Sequence, residues 1–280
     1  MYRLFALAAA GILAACSSDS TGPGTPPPTP SGLSSTSLDG AVALDWPDNA
    51  FEADPSNFSN YVVYSTSYNL DQDQCGTGWN VEGTTVAPEF VVGALTNGVP
   101  RCFGVSAVSV GGNESGRSPL RNDTPRPDAR NVVVYARQSQ NTGSGFRFWQ
   151  DLNGNGTVES NELGLSLAGS DAGADFTVER DGTGNLFLTP ARAGTTVALY
   201  GTAPVEDLTS IDIAPVSGYD AAGLEALPGW GYVFQMTEPD AFFRYGAVRV
   251  THVGQNFLIL DWAYQTDPGN PELLRRSTHD

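Results

Sequence analysis

The chain has 280 residues and a net charge of −17, with 31 acidic residues against 14 basic ones, all of which are Arg. This balance excludes binding to nucleic acid or to anionic lipid through a basic surface. The hydrophobic fraction of 40%, together with 32 Gly and 19 Pro, favours short strands joined by turns around two cores, so we expect an all-β protein.

The first fifteen residues are predicted to be a signal peptide. Arg3 provides a positive start, and residues 4–15 form an apolar stretch too short to cross a bilayer as a helix. The sequence Leu-Ala-Ala-Cys at 13–16 resembles the lipobox of bacterial lipoproteins. The resemblance implies cleavage before Cys16 and acyl chains on Cys16 that hold the protein to a membrane. A secretory signal with an incidental cysteine is the alternative.

The residue after Cys16 is Ser17, which in that family implies sorting to the outer membrane, so the expected location is the cell envelope, at the outer membrane or cell surface. Residues 16–32 are rich in Pro, Ser and Thr and contain no apolar side chain able to anchor a core. We predict that this segment is a lipidated, extended and solvated tether.

Residues 33–125 contain short runs of alternating apolar residues separated by Gly- and Asn-containing turns, at the density of a two-sheet sandwich. The segment resembles a fibronectin type III domain. Residues 40–46 match its B strand with the core residue Trp46, and residues 61–65 match its C strand. One departure is Arg101, which stands where that family usually has a tyrosine at the corner of the core.

Two cysteines remain once Cys16 is assigned to lipid. In an exported protein an even pair is most simply a disulfide, so Cys75 and Cys102 are predicted to be bridged. The alternation with Phe103 points Cys102 away from the sandwich core. A bridge of this span adds about 3 kcal/mol by the loop-entropy relation.

Residues 127–280 are predicted to form a second, mostly antiparallel β domain. Its strand candidates are residues 132–136, 145–149, 175–179, 186–189, 195–200, 231–236, 247–251 and 257–263. The interval 204–229 is less regular, and a short helical turn is predicted at residues 220–227.

The segment 151–162 has the spacing of a twelve-position calcium loop. Calcium prefers six to eight oxygen ligands, and Gly156 stands where such a loop turns sharply. The predicted ligands, at positions one, three, five, seven, nine and twelve, are Asp151, Asn153, Asn155, Thr157, Glu159 and Glu162. The ion would be structural, with a dissociation constant of about 10⁻⁴ to 10⁻³ M in an extracellular setting.

The residues before this loop alternate aromatic and polar side chains and predict a strand rather than the helix of an EF-hand. A strand followed by such a loop resembles the calcium-binding B-type repeats of bacterial surface adhesins. The alternative interpretation of residues 151–162 is a polar, glycine-rich β turn that holds no metal.

No catalytic constellation stands out among the two histidines, and His252 is expected to be a partly exposed structural residue. Phe242 and Phe243 follow Asp240 in a predicted hairpin turn, where exposed aromatic rings could stack on a glycan or anchor a surface protein. We therefore predict a lipid-anchored, non-enzymatic cell-surface binding or adhesion protein. The alternative is a polysaccharide-active or enzyme-associated surface lipoprotein.

Overall fold

The computed structural model describes residues 24–69, 72–156 and 158–273. Within these ranges the regular structure is almost entirely strand, which confirms the all-β prediction. The α-helix α1 (Asn49–Ala53) spans five residues. Across the same ranges, no helix has the length and apolar character needed to span a membrane.

The N-terminal region is a fibronectin type III-like sandwich of two antiparallel sheets. One sheet has the order β1-β2-β6; in the other, β3 lies between β4 and β7, β8 follows β7, and β5 also pairs with β3. The strands are β1 (Ser34–Leu38), β2 (Ala41–Asp45), β3 (Phe58–Asn69), β4 (Gln74–Cys75), β5 (Asn80–Thr85), β6 (Glu89–Val92), β7 (Arg101–Ser109) and β8 (Arg121–Asp123).

The core of this sandwich contains the alternating residues predicted from the sequence. Trp46 is buried and meets the ring of Tyr61 edge-on, with 5.3 Å between ring centroids. At the position of the missing corner tyrosine, Arg101 donates a hydrogen bond to Ser65 Oγ (2.5 Å) and lies 3.7 Å from a carboxylate oxygen of Glu82. A polar contact therefore stands where that family uses a tyrosine.

Strands β1 and β8 lie side by side at the edges of the two sheets. Arg121 Nε donates to Ser35 Oγ (2.9 Å), and Ser37 Oγ donates to Asp123 Oδ1 (2.5 Å). Because residues 35 and 37 meet residues 121 and 123 in the same order, the two strands run parallel.

Within the predicted tether, seven of residues 24–32 are exposed, but the prediction that the segment stands free in solvent is wrong at the two residues that pack on the sandwich. Pro27 and Pro30 are buried, and Asn57 Nδ2 and Asn49 Nδ2 donate to the carbonyl oxygens of Thr25 and Thr29 (3.0 Å each). Prolines three residues apart share one face of an extended polyproline chain, which turns that face toward the sandwich.

The C-terminal region contains two five-stranded sheets, ordered β11-β10-β12-β13-β15 and β14-β16-β17-β18-β9. Their strands are β9 (Asp128–Tyr135), β10 (Thr142–Trp149), β11 (Leu163–Ala168), β12 (Phe176–Arg180), β13 (Leu186–Pro190), β14 (Thr195–Tyr200), β15 (Leu224–Glu225), β16 (Gly231–Thr237), β17 (Phe243–Val253) and β18 (Phe257–Gln265). Strands β11 and β15 were not among those predicted.

The helical turn predicted at residues 220–227 is wrong, since β15 lies there and pairs with β13. Gly223 has a φ of 87°, and a Cβ on it would lie 3.0 Å from the carbonyl oxygen of Leu188. The left-handed backbone at Gly223 interrupts any helical turn and brings the next two residues against β13.

The main core of the C-terminal region lies between its two sheets. Phe146, Phe148 and Phe176 from the first sheet meet Phe234 and Trp262 from the second, with Phe176 stacked on Phe234 at a centroid separation of 4.6 Å. A smaller cluster covers the other face of the second sheet with apolar residues from the irregular interval, among them Leu208 and Ile211. The second sheet is thus covered on both faces.

The two regions meet along the connecting segment 124–127. Arg126 N donates to the carbonyl oxygen of Leu38 (3.1 Å), and Asp39 N donates to Asp128 Oδ1 (2.9 Å). Gly98 N donates to the carbonyl oxygen of Pro125 (2.9 Å). Direct hydrogen bonds therefore hold this segment against the sandwich.

Candidate functional site

Two of the predicted functional residues lie outside the described residues. They are Cys16, the predicted lipid attachment point, and Thr157, the predicted seventh position of the calcium loop. The remaining predicted ligands lie in the described ranges, on the connection between β10 and β11.

Asp151 organises the start of this loop. Its Oδ1 accepts the N–H groups of Gly154 (2.6 Å) and Asn155 (3.2 Å), and its Oδ2 accepts that of Gly156 (2.8 Å). The N–H of Gly156 contributes most to holding the pKa of Asp151 below its usual value. Gly156 has a φ of 70°, so the sharp turn predicted there is present.

Glu162 is fully buried at the other end of the loop. Its Oε1 accepts Leu152 N (2.8 Å), and its Oε2 accepts Trp149 Nε1 (3.2 Å) and Glu159 N (3.4 Å). These donors stabilise a carboxylate that would otherwise be costly to bury. Glu162 thereby ties both ends of the loop to strand β10.

Three predicted ligands converge between these two carboxylates. Asn153 Nδ2 and Asn155 Nδ2 both donate to Glu159 Oε1, at 3.2 and 3.0 Å. Among the described residues no three Asp, Glu, His or Cys side chains form a compact metal-binding group. The donor set, with its carboxylate and amide oxygens, still fits a hard cation, provided that both amides rotate to present oxygen.

A shallow depression of about 450 Å³ adjoins the start of the loop. One wall comes from β10 and the loop, and the other from the turn between β16 and β17. Its lining residues are Arg147, Trp149, Gln150, Asp151, Glu238, Pro239, Asp240 and Arg244. Guanidinium and carboxylate groups therefore line the depression together with one indole ring.

The turn beside this depression carries the predicted aromatic pair. Phe242 and Phe243 are 56% and 43% exposed, as expected from the sequence. Asp240 accepts Phe242 N (3.1 Å) and forms an ion pair with Arg244 (2.7 Å). Gly269 N donates to the carbonyl oxygen of Phe243 (2.8 Å), so the turn that displays the rings is fixed by several hydrogen bonds.

A chain of ion pairs that begins at the buried Asp175 supports the same turn. Arg192 Nε lies 2.9 Å from Asp175 Oδ1, and its Nη2 lies 2.8 Å from Glu238 Oε1. Asp175 Oδ2 accepts Phe148 N (2.9 Å), which connects the chain to the strand before the loop. Burial raises the pKa of Asp175, while Arg192 lowers it. The loop and the hairpin turn thus share a common support.

The predicted disulfide between Cys75 and Cys102 is confirmed, with 5.7 Å between the two Cα atoms. Cys102 is 1% exposed but is absent from the sandwich's apolar cluster, in agreement with a side chain directed away from that core. The bridge connects β4 to β7. Its role is structural.

Sequence reasoning missed most residues of the depression, in particular Arg147, Glu238 and Arg244. Arg147 lies almost a hundred residues before Glu238 and Arg244, and the face-to-face packing of the two sheets brings them together. The available signal was Trp149, a large aromatic residue two positions before the first residue of the predicted loop.

Comparison with known proteins shows that this chain is similar to several solved structures. An Fn3-like protein from Clostridium thermocellum is 24% identical, covering 35% of this chain and 92% of that chain with a TM-score of 0.28. A human FNIII domain is 18% identical, covering 41% and 88% with a TM-score of 0.30. A DUF4466 family protein from Parabacteroides merdae is 12% identical, covering 85% and 99% with a TM-score of 0.42.

These identities and TM-scores are too low to carry an argument about function. No family model matches the chain, and no curated protein matches it. The function proposed below therefore rests on the sequence and on the geometry of the described residues.

Proposed function

We propose that this chain is a lipid-anchored protein of the cell surface that binds a glycan, without catalysis, through its C-terminal β domain. The observation that carries the proposal is the pair Phe242 and Phe243, held exposed on a fixed turn beside a polar depression. Large apolar rings exposed together on an otherwise acidic, soluble surface are typical of an interaction site. The lipid on Cys16 supplies the attachment to the membrane.

The chemistry of the surface favours a glycan. Sugars present apolar ring faces that stack on aromatic side chains and hydroxyl groups that bond to planar polar ones. Phe242 and Phe243 offer the rings, while Arg147 offers donors and Asp240 offers acceptors within the adjoining depression. Because the turn is already ordered by the Asp240–Arg244 ion pair, binding loses little conformational freedom.

The calcium loop has a supporting part in this proposal. Trp149 and Asp151 belong both to the depression and to the loop region, and Trp149 donates to Glu162. A cation bound by the loop would draw the loop's carboxylates and amides toward one centre. It would thereby fix the wall of the depression that contains Trp149 and Asp151. Calcium is proposed here as a structural ion, not as a reactant.

The alternative, a polysaccharide-active lipoprotein, would place paired carboxylates in the same depression. A general acid in such a pair needs a pKa raised toward neutrality. Asp240 has the opposite environment, because Arg244 and the N–H of Phe242 hold its pKa below the usual range. Glu238 is committed to Arg192. These environments favour binding over hydrolysis.

The test is a glycan array followed by affinity measurements with the chain from residue 24 onward, which contains both hydrophobic cores. The F242A/F243A variant should bind at least about tenfold more weakly, the equivalent of ~1.4 kcal/mol. Phe51→Ala is the matched control, since Phe51 is 41% exposed but lies on the N-terminal sandwich. Wild-type affinity in F242A/F243A would contradict the proposal, and shortened glycan products would favour the alternative.

A further inference from the structure

The outer face of the sandwich sheet that contains β3, β5 and β7 presents an arginine lying over two aromatic rings. The guanidinium carbon of Arg117 lies 4.3 Å from the ring centroid of Tyr64 and 4.7 Å from that of Trp79. Arg117 is exposed, whereas both aromatic residues are half-buried. We refer to these three residues as the stacked-arginine site.

The strand register places this site on the side of the sheet that faces away from the core. Tyr64 is paired with Val81 of β5 and with Gly104 of β7, so these three positions share one face. A Cβ on Gly104 would lie 3.3 Å from Arg117 Cδ and 3.1 Å from Leu120 Cδ2. The missing side chain of Gly104 therefore leaves the space in which Arg117 lies against the sheet.

Contacts on both sides hold the two rings in place. The hydroxyl of Tyr64 donates to Glu114 Oε1. Trp79 directly follows Gly78, whose carbonyl oxygen accepts Thr66 Oγ1 (2.9 Å), and the disulfide described above connects the same loop to β7. The guanidinium thus lies over fixed rings, which restricts its orientation before any ligand arrives.

The N–H groups of Arg117 are not used within the described part of the chain. Its side chain forms neither a hydrogen bond nor an ion pair with a described residue, in contrast to Arg101 of the same sandwich, which contacts Ser65 and Glu82. A guanidinium presents five donors in a planar fork that matches a carboxylate, and contact with a ring face leaves those donors free. Arg117 is therefore available to an external anionic group.

Two exposed aliphatic side chains flank the site. Val81 is 62% exposed and Leu120 is 50% exposed, so no described residue covers this part of the sheet. Trp, Tyr and Arg are the residue types that dominate the binding energy of protein interfaces, where the surrounding contacts exclude water. The composition of this surface is thus typical of an interface with another protein.

A glycan is less suited to this surface than to the depression in the C-terminal domain. The guanidinium of Arg117 already lies over both rings, and both are half-buried, so a sugar finds less free ring area here than on Phe242 and Phe243. Charge and aliphatic contacts select the ligand instead.

We infer that the stacked-arginine site binds a protein partner that presents a carboxylate between apolar side chains. The Asp or Glu of the partner accepts two parallel N–H bonds from Arg117, and the neighbouring apolar side chains cover Val81 and Leu120. This surface belongs to the sandwich and shares no residue with the proposed glycan site.

The experiment is a peptide array probed with the chain from residue 24 onward, followed by affinity measurements on the peptides that bind. Each peptide carries a central Glu between apolar residues, and a matched array carries Gln in its place. Wild type should prefer the Glu peptides, and Arg117→Gln should bind them at least about tenfold more weakly. Arg137→Gln is the matched control, because Arg137 is 49% exposed but pairs with Glu179 in the C-terminal region.

Nuclear magnetic resonance provides a local readout. The Nε–H signal of Arg117, assigned by its absence in R117Q, should shift when a Glu peptide that binds is added and should stay in place with the matched Gln peptide. F242A/F243A should bind the Glu peptides as wild type does, so a failure of the proposed glycan binding and a failure of this inference can be told apart.

Equal binding of Glu and Gln peptides, wild-type affinity in R117Q, or no binding to any peptide would overturn the inference. Two further outcomes would overturn it in favour of another occupant. One is binding of polygalacturonate that R117Q abolishes while no peptide binds, which would assign the site to an acidic glycan. The other is a wild-type dimer in sedimentation that R117Q dissociates, which would assign the site to a second copy of the chain.

Discussion

Arg192 stabilises a carboxylate that has no access to solvent. Asp175 is 1% exposed, and its two oxygens accept only Arg192 Nε and Phe148 N among the described contacts. Removing one partner of a buried pair costs more than the pair contributes, because the remaining charge cannot be hydrated. Arg192 is therefore the main charge partner of Asp175, and the charge of Arg147 contributes less.

We expect Arg192→Met to lower the free energy of unfolding by about 3–5 kcal/mol, measured by chemical denaturation at neutral pH. Arg137→Met is the control, because Arg137 is 49% exposed where it pairs with Glu179 at 3.2 Å. An exposed pair of this kind contributes about 1 kcal/mol or less. Equal losses in the two variants would show that Asp175 does not require its partner.

The pH dependence of the same variant gives an independent check. The folded-state pKa of Asp175 is raised above its ordinary value of 3.8, mainly by burial. The folded state therefore binds a proton on Asp175 more readily than the unfolded state does. The stability gained from this protonation is fully present below pH 3.8 and is lost as pH rises through the raised pKa. The deficit of R192M relative to wild type should shrink as pH falls toward 3.8.

At the scale of elements, the connection between β10 and β11 has two roles that must be separated in any test. Glu162 is a predicted calcium ligand, and it also accepts three N–H groups that hold the connection in place. A Gln at this position has one acceptor oxygen instead of two and should reduce stability even without calcium. The informative quantity is the change in melting temperature on adding calcium.

For wild type, about 10 mM calcium should add roughly 2.7 kcal/mol if the dissociation constant is near 10⁻⁴ M, which is several degrees in melting temperature. Glu162→Gln should remove most of this calcium-dependent shift, and Glu159→Gln should remove less. The comparison is a thermal melt of each protein in chelator and in calcium. No shift in any of these proteins would mean that residues 151–162 are only a turn.

The strands that could be predicted include runs of six or seven residues rich in β-branched, aromatic and other apolar side chains, such as β14 and β16. Strand β15 is two residues long, too short for any periodicity to appear. Strand β11 does alternate Leu163, Leu165 and Leu167, but Gly164 and the adjoining loop concealed it. The depression beside the loop could not be predicted, because it is assembled from segments distant in the sequence.

At the scale of the whole molecule, the membrane anchor is the part of the proposal that depends on sequence alone. We expect wild type to incorporate labelled fatty acid and to partition into the detergent phase, because acyl chains bury methylene groups. Cys16→Ser should abolish both and leave an unprocessed precursor. Ser17→Ala, which retains the cysteine, is the control, and an unlabelled wild-type protein would contradict the anchor.

The parallel arrangement of β1 and β8 has a mechanical consequence. The chain packs on the sandwich at residues 24–32, continues into β1 and leaves at the end of β8. Under the proposed function, tension between the membrane anchor and a bound glycan would therefore load residues 24–32 first and would then pull β1 and β8 in opposite directions along their length. The contacts of Ser35 with Arg121 and of Ser37 with Asp123 are then loaded together in shear, not peeled apart one after another. Contacts loaded in shear share the applied force, so this arrangement would suit the proposed attachment of a cell surface to a glycan.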